Sequence, residues 1–327
     1  AENVSYIRLS GNFPFFHRNI YGLSPKYQVT YLDSLGNERA TEISAWYPPK
    51  KDSTQKDSTR KPTVVKAPPA PPKLTKQQKL ESIRKLTIDS SGTYALMTVN
   101  GFSGGRLRRF FRQSFRTLKE KKIDQLIIDI RSNGGGKVNL STLLTRYITR
   151  KPFRVADSAY ATHRSLAPYT RYIYKGFWNN LGLIGLARKK KNGVYHVSYL
   201  ERTTYKPKKQ AYNGNVYLLT GGLSFSAAAL FAHSVKGQPG ITLVGEETGG
   251  GDYGNNGILI PEIILPQTRL RVRLPLFRLI QYQHGLNQGR GVMPDIWLPP
   301  DYQALLQKRD KKMDWVIRWI QEHAKKR

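Results

Sequence analysis

The sequence predicts a mixed α/β (α+β) domain with a partly parallel sheet and covering helices, and two observations predict it. Short apolar runs typical of buried strands occur at residues 94–99, 126–130, 215–220 and 241–244. Two of these runs, 126–130 and 215–220, enter glycine-rich turns, and each turn is followed by an apolar segment with helical spacing. A strand, a turn and a helix in that order form the repeating unit of a parallel sheet with helices on its faces.

The composition is that of a folded, strongly basic protein. Hydrophobic residues make up 39% of the 327 residues, which excludes a wholly disordered polycation. The 54 Lys and Arg against 22 Asp and Glu give a net charge of +32, which attracts anionic polymers or lipid head groups without a specific site. No zinc-finger spacing or RNP-like aromatic stretch occurs, so we expect no specific nucleic-acid binding. The absence of cysteine excludes disulfides and thiolate metal sites, and we expect no metal or cofactor and no transmembrane segment.

Changes in composition divide the chain into four parts. Residues 1–47 alternate in the manner of strands and predict a small β-rich piece. Residues 48–76 are rich in proline and lysine and predict a linker or disordered loop, because they bury too little apolar area to offset their ordering entropy. Residues 77–300 form the α/β core, interrupted at 153–212 by an insertion rich in Tyr, Arg and Lys. Residues 301–327 form a C-terminal amphipathic helix.

Three helices are predicted from spacing alone. One covers residues 302–323, and another lies around residues 169–186 in the insertion. In the third, residues 107–118, Leu and Phe side chains share one face and arginines occupy the rest of the surface. We interpret the arginine row as a solvated outer face, and an anion-binding face is the alternative.

Two glycine-rich turns are the candidate site. Ser226 lies between a strand and a helix, where a sharp bend exposes the hydroxyl and the first free amides of the helix point at the atom it attacks. A second loop, Gly134, Gly135 and Gly136, lets another backbone N–H approach the same atom, which would complete an oxyanion hole for acyl transfer. From the residue types alone two alternatives stay open: a phosphate-binding glycine loop, although the Walker and GxGxxG patterns are absent, or two purely structural turns.

Four segments in one order resemble a known family. They are LIIDIRSNGGG (126–136), VYLLTGGLSFSAA (216–228), VGEETGG (244–250) and GVMPD (291–295). This series is similar to the tail-specific, or C-terminal-processing, serine peptidases, including their tricorn-core-like branch. The resemblance implies a core of the ClpP/crotonase type, peptide or protein substrates, and a periplasmic, envelope-associated or secreted location. It also implies that residues 1–47 are the remnant of a PDZ-like domain.

The resemblance assigns roles to individual residues. It implies Ser226 as the nucleophile and an oxyanion hole formed by the N–H groups of Ala227 and Gly135. Glu246 and Thr248 are candidate cleft residues, together with Gly134 and Gly136. Ser224 is a second candidate nucleophile. Three other residues are expected to be structural: Asp129 and Asp295 as turn and cap residues, and His233 as a packed or surface residue.

The general base is not evident in the chain. One branch of the family uses a lysine in the loop after the Gly-Glu motif, and that position is Gly251. Lys236 is ten residues beyond Ser226 on the same predicted helix, about 15 Å along its axis and too far to accept the proton. The other branch uses a histidine from an upstream Asp-Gly-His segment, which this chain lacks.

We therefore expect a histidine base from an N-terminal segment missing from this chain. Five histidines are taken to have no acidic residue nearby in the sequence that could orient them, and each is a weaker candidate for the base, with His163 and His284 ahead of the others: His17, His163, His196, His284 and His323.

The functional hypothesis is a serine-type peptidase. The alternative is a catalytically inactive relative that acts as a basic scaffold for peptides or for an anionic envelope polymer. Most of the positive charge lies outside the two glycine turns. We therefore relate the charge to what surrounds the protein and not to the chemistry of the candidate site.

Overall fold

The computed structural model describes residues 21–22, 24–33, 35–45, 74–191, 193–283, 289–301, 303–304 and 307–324. The chain divides into two compact units, Ala1–Lys73 and Leu74–Arg327. Of the predicted linker 48–76, residues 48–73 lie outside the described residues, as do His17 and His284.

The first unit contains a β-hairpin. Strand β1 (Lys26–Leu32) pairs antiparallel with β2 (Glu38–Ser44). The Asp33 carboxylate accepts the N–H groups of Leu35 and Asn37 at 2.9 Å, which closes the turn between the strands.

The second unit contains the remaining elements. In chain order they are α1 (Lys76–Glu81), β3 (Arg84–Ile88), β4 (Ala95–Val99), α2 (Leu107–Glu120), β5 (Gln125–Asp129), α3 (Val138–Ile148), β6 (Ala156–Ala161), a 3₁₀ helix (Tyr169–Tyr172), α4 (Gly176–Leu186), β7 (Arg188–Lys189), β8 (Tyr195–His196), α5 (Ser198–Arg202), β9 (Asn215–Thr220), α6 (Ala227–Val235), β10 (Ile241–Gly245), β11 (Gly254–Asn255), β12 (Glu262–Ile264), β13 (Arg271–Arg273), β14 (Arg278–Gln281), β15 (Ile296–Trp297) and α7 (Lys311–Ala324).

A partly parallel sheet forms the centre of this unit and confirms the predicted fold class. Among the described residues it has six strands in the order β15-β10-β9-β5-β4-β3, all parallel except β3 at the edge. Alternate residues of each strand enter different cores, as the two-residue period of a strand requires. Leu126 and Ile128 pack with α2, α3 and α6, whereas Ile127 packs with α7. Because parallel strands end on the same edge, the turns after β5 and β9 lie side by side.

Helix α2 has the predicted amphipathic character. Leu107, Phe110, Phe111, Phe115 and Leu118 are buried in the core. The arginines on its other face are exposed to solvent, and they are Arg108, Arg109, Arg112 and Arg116.

The insertion builds a second sheet with a core of its own. The strand order is β11-β14-β6-β8-β7, so residues 254–281 pair with the insertion and complete it. The helical stretch predicted around residues 169–186 is present but divided into the 3₁₀ helix and α4. Gly176 marks the division, because a Cβ there would lie 2.0 Å from the carbonyl oxygen of Thr170.

The predicted start of the C-terminal helix is wrong. We expected a helix from residue 302, whereas α7 begins at Lys311. Lys308 has a φ of 53°, a left-handed conformation through which a right-handed helix does not continue. Asp310 then caps α7 by accepting the N–H of Met313 at 3.1 Å, while Arg131 binds the same carboxylate at 2.6 Å. Burial would raise the pKa of Asp310, but the hydrogen bond and charge of Arg131 outweigh it and lower that pKa.

None of the helices in the described ranges combines the length and the apolar character that crossing a bilayer requires.

Candidate active site

Ser226 occupies a strained bend between β9 and α6. Its φ of 52° and ψ of −118° lie in a region that residues other than glycine rarely adopt. The side chain is partly exposed, and its hydroxyl has no hydrogen-bond partner among the described residues. The bend therefore presents a hydroxyl free to react at the start of a helix.

Ser224 differs from Ser226 in every one of these respects. It is fully buried, its hydroxyl donates to the carbonyl of Ile130 at 2.9 Å, and it accepts the N–H of Gly221 at 3.3 Å. This hydroxyl connects the β9 turn to the end of β5, so Ser224 serves the backbone and leaves Ser226 as the candidate nucleophile.

Glycines from three loops surround Ser226. A Cβ on Gly135 would lie 2.7 Å from the Ser226 Cβ, and one on Gly250 would lie 2.9 Å from the Ser226 backbone nitrogen. A Cβ on Gly257 would lie 3.1 Å from the Ser226 Oγ and 3.1 Å from the Asn255 Oδ1. Only glycine lets the backbone approach this closely, so the site is enclosed by main chain on three sides.

Asn133 holds the glycine loop and the bend together. It is fully buried, donates from Nδ2 to the Val99 carbonyl at 2.9 Å, and accepts the Gly135 N–H at 2.9 Å. Its backbone carbonyl accepts the N–H of Phe225, the residue before Ser226, at 3.0 Å. The side chain of Asn133 thus fixes the glycine loop to the end of β4, and its backbone carbonyl holds the residue before the candidate nucleophile.

The two amides predicted for the oxyanion hole differ in whether their N–H group already donates a hydrogen bond. The N–H of Ala227 is the first of α6, and the backbone nitrogen lies 3.2 Å from the position a Gly135 Cβ would occupy. The N–H of Gly135 is already engaged by Asn133. The Ala227 amide is therefore the freer donor of the two.

The glycine loop of Gly134 and Gly136 leads into the wall of a basic cavity at Lys137. Gly136 bridges to Phe102, and a Cβ on it would meet the Phe102 backbone at 2.6 Å, whereas the space around Gly134 is open. The loop continues into a cavity of about 730 Å³ whose wall includes Lys137. Its other described lining residues are Gly104, Gly105, Arg106, Leu107, Arg108, Arg109, Asn139 and Leu140.

Glu246 and Thr248, the two predicted cleft residues, contact different parts of the chain. Glu246 is buried against the ammonium group of Lys312 on α7 and connects that helix to the sheet. Thr248 donates to the carbonyl of Gly250 at 2.7 Å and accepts the N–H of Val292 at 2.8 Å. Thr248 thereby shapes the loop that contacts Ser226, while Glu246 contacts the C-terminal helix.

Comparison with known proteins identifies the family. The model of Peptidase family S41 matches residues 93–298, which is more than half of the chain. The chain belongs to peptidase family S41. This confirms the resemblance inferred from the four motifs, and no curated protein matches the chain.

Solved structures share the fold. A structure from Parabacteroides merdae ATCC 43184, named as a candidate peptidase, is 19% identical with a TM-score of 0.50, and the match covers 73% of this chain and 64% of that one. Mature CPAF is 13% identical with a TM-score of 0.50, and the match covers 91% of this chain and 66% of that one. The chain therefore spans slightly less than two thirds of the length of each of these proteins.

None of the histidines that the structure describes binds the Ser226 hydroxyl of this S41 chain. His163 contacts the Thr162 hydroxyl, and His323 contacts the carbonyl of Trp319. The expectation that His196 has no acidic residue nearby is wrong: its Nδ1 lies 2.6 Å from the Glu201 Oε1, five residues on. Glu201 lies on α5, and the turn of this helix brings its carboxylate to the His196 ring. The distance of five positions in the sequence did not indicate this contact.

Lys236, Asp129 and Asp295, which the sequence analysis also considered, each bind another part of the chain. The Lys236 Nζ donates to the carbonyl of Met293 at 2.7 Å. Asp129 accepts the backbone N–H of Arg131 at 3.0 Å and pairs with its guanidinium at 2.7 Å, and Asp295 accepts the N–H of Leu243 at 2.8 Å, so both carboxylates support the backbone. Within the described ranges, no three His, Asp or Glu side chains form a group that could hold a metal ion.

Sequence reasoning assigned no role to Asn133, Gly250 or Gly257. The first two belong to the family motifs, so a role could have been sought there. Gly257 closes an Asn-Asn-Gly turn in which its N–H donates to the Asn255 Oδ1 at 2.9 Å, and that turn signature is the only signal for it in the sequence.

His233 connects α6 to the loop beyond the glycine run. Its Nδ1 contacts the Asp252 carboxylate and its Nε2 contacts the Tyr282 carbonyl, both at 2.7 Å. Burial lowers the pKa of His233 and nearby Lys236 opposes its charge, but the two hydrogen bonds and the charge of Asp252 outweigh them, so the pKa is raised.

This raised pKa predicts a loss of stability on the alkaline side. The contribution of protonated His233 is fully present below the unfolded pKa of about 6.5 and disappears as the pH rises through the folded pKa. We expect the Tm of the wild type to fall over this interval and the Tm of His233→Gln to fall less. Thermal unfolding of both proteins from pH 5.5 to 8.5 measures the difference, and parallel Tm curves would contradict the assignment.

Proposed function

We propose that this chain is the catalytic core of a serine-type peptidase and that Ser226 is its nucleophile. The observation that carries the proposal is the strained bend at Ser226, which holds a hydroxyl without a hydrogen-bond partner among glycines of three loops. A strained nucleophile at a strand-to-helix turn is typical of acyl-transfer enzymes. Membership of family S41 supports the same chemistry.

In the proposed reaction, the Ser226 Oγ attacks the carbonyl carbon of the scissile peptide bond, and a general base accepts the hydroxyl proton. The Ala227 N–H is the main donor to the oxyanion, and the Gly135 N–H is a second donor shared with Asn133. The base then protonates the leaving amine as the C–N bond breaks, which leaves an acyl-enzyme. Water, deprotonated by the same base, attacks this ester and releases the second product.

We infer that the base is a histidine outside the residues the structure describes. The described histidines each contact another group, and position 251, where one branch of the family has its lysine, is glycine. His17 and His284 belong to the undescribed residues of this chain, and an upstream segment of a longer natural protein is the other source.

We further propose that the peptidase prefers substrates with acidic residues close to the scissile bond. Lys137 follows Gly135 by two residues, so the backbone of the cavity wall is within about 7 Å of the glycine that touches Ser226. Four cationic residues line this cavity, and none of its described lining residues is acidic: Arg106, Arg108, Arg109 and Lys137. An extended peptide advances about 3.3 Å per residue, so a side chain two or three residues from the scissile bond reaches the cavity.

Charge reversal at Lys137 tests this preference. We expect Lys137→Glu to raise the KM for a peptide with acidic flanking residues by about tenfold, with kcat largely retained, because the lost attraction acts on binding. A neutral peptide of equal length is the control and should change little. An equal rise in KM for both peptides would contradict the acidic preference.

A fluorophosphonate probe tests the nucleophile directly. The full-length natural protein is labelled and digested with trypsin, which releases residues 210–236 as one peptide containing Ser224, Ser226 and Ser234. Fragment ions that place the label on Ser226 support the proposal. A label on Ser224, or protein that hydrolyses peptides without any label in this fragment, overturns the assignment of Ser226.

A protein with neither label nor hydrolysis would be the inactive basic scaffold. For the active enzyme we propose peptide or protein substrates and a periplasmic, envelope-associated or secreted location, as the family resemblance implies.

A further inference from the structure

The second sheet carries an exposed apolar surface that the proposed peptidase reaction does not use. Its centre is α4 and the 3₁₀ helix before it, where the Phe177 and Trp178 side chains are 67% and 68% exposed. The two rings pack edge to face with centroids 5.3 Å apart. Further large apolar residues here are also exposed: Tyr169, Tyr174, Leu181 and Leu186.

A neighbouring hairpin extends this surface. Strands β12 and β13 pair antiparallel, and Ile263 of β12 bridges to Ile173 beside α4. The N–H of Tyr174 donates to the Glu262 carbonyl at 2.8 Å, so the two elements are joined through their backbones. The hairpin adds exposed aliphatic side chains, and they are Leu265, Leu270, Val272 and Leu274. We call these two elements together the aromatic face.

The aromatic face is surrounded by positive charge. Residues 158–200 contain seven Lys and Arg and no Asp or Glu. Residues 262–281, which include the hairpin, contain four Arg and one acid, Glu262, which pairs with Arg271 at 2.9 Å. The Arg171 guanidinium lies 4.7 Å from the Tyr172 ring centroid, and the Lys175 ammonium lies 5.5 Å from that of Tyr174. Each cation therefore stays next to an aromatic ring, with its charge at the edge of the apolar surface.

We propose that the aromatic face docks on the surface of an anionic lipid bilayer. Tyr, Trp and Leu side chains enter the headgroup region, and the surrounding Lys and Arg bind the anionic head groups. Large exposed apolar patches mark interaction sites, and this one combines apolar area with a clear excess of positive charge. A second copy of the chain is disfavoured as the partner, because it would place equal positive charges against each other.

Vesicle sedimentation with the full-length natural protein tests the proposal. We expect binding to vesicles of phosphatidylcholine and phosphatidylglycerol at 70:30 to be at least about tenfold tighter than binding to phosphatidylcholine alone. Phe177→Ser combined with Trp178→Ser should weaken binding to the anionic vesicles by about tenfold, since apolar insertion is lost. Both side chains are exposed, so the double variant is expected to fold with an unchanged Tm.

Matched charge variants separate the aromatic face from the general charge of the protein. Arg171→Glu with Lys175→Glu, at the two cations next to the rings of the aromatic face, should weaken binding to the anionic vesicles by about tenfold. Arg112→Glu with Lys119→Glu makes the same change of charge on the exposed face of α2 and should have little effect. Equal losses in the two charge variants, unchanged binding of the aromatic variant, or no binding by the wild type would each overturn the proposal. Self-association of the wild type that the aromatic variant abolishes, without vesicle binding, would assign the face to a protein partner and overturn it too.

Discussion

Ser226→Ala is expected to lower kcat/KM for peptide hydrolysis by about 10³-fold or more, because it removes the proposed nucleophile. The Tm should change little, since the Ser226 hydroxyl has no hydrogen-bond partner among the described residues. A fluorogenic peptide assay on the full-length protein measures the first effect, and thermal unfolding measures the second. The bend itself should persist, because Gly135 and Gly250 lie against the Cβ and the backbone nitrogen of residue 226, and alanine keeps both atoms.

Two matched serine variants isolate this effect. Ser90→Ala changes an exposed serine in the turn between β3 and β4 and should leave activity and Tm unchanged. Ser224→Ala should lower the free energy of unfolding by about 1–3 kcal/mol, because the buried Gly221 N–H loses its hydroxyl partner. The folded fraction of Ser224→Ala should remain active. If Ser226→Ala keeps a tenth of wild-type activity while Ser224→Ala has none, the nucleophile is Ser224.

Gly257→Ala is expected to reduce kcat/KM by about 10²-fold while the protein stays folded, because displacing reacting atoms by about 1 Å has an effect of this size. The new methyl group would lie 3.1 Å from the Ser226 Oγ and 3.1 Å from the Asn255 Oδ1. Both are side-chain atoms, and so is the next nearest atom outside the chain neighbours of Gly257, the Asn255 Cγ at 3.9 Å. The rate of fluorophosphonate labelling should fall in parallel, because that reaction uses the same hydroxyl.

A glycine in open space is the control for this variant. A Cβ on Gly182 meets nothing within 4 Å, and Gly182→Ala should raise the stability of α4 by up to about 1 kcal/mol without changing activity. Wild-type kcat/KM in Gly257→Ala would mean that substrate reaches Ser226 from another direction.

Local patterns in the sequence predicted most of the sheet and the helices that cover it. The strand at 215–220 appears in the structure with the expected bounds, and the expected helix follows Ser226, because apolar runs and glycine turns act over a few residues. The start of α7 was not predictable in this way. It depends on a left-handed backbone at Lys308 and on Arg131, which binds Asp310 although the two residues are 179 positions apart in the sequence.

The contacts around the site also depend on distant residues. The engagement of the Gly135 N–H by Asn133 decides how free that amide is, and motif order contains no information on it. The pairing of His196 with Glu201 requires the turn of α5, and the pairing of His233 with Asp252 requires the loop beyond β10 to fold back on α6.

The sequence alone determined the fold class, the position of Ser226 at the end of a strand, and the absence of a lysine where one branch of the family has it. The tertiary structure decided which loops enclose that serine, which of two neighbouring serines is free, and where the aromatic face lies. The physical reason is that Gly135, Gly250 and Gly257 approach Ser226 through their backbones. Close backbone approach depends on how loops that are distant in the sequence pack together. A glycine has no side chain whose type would indicate which segment it contacts, so the sequence does not predict these contacts.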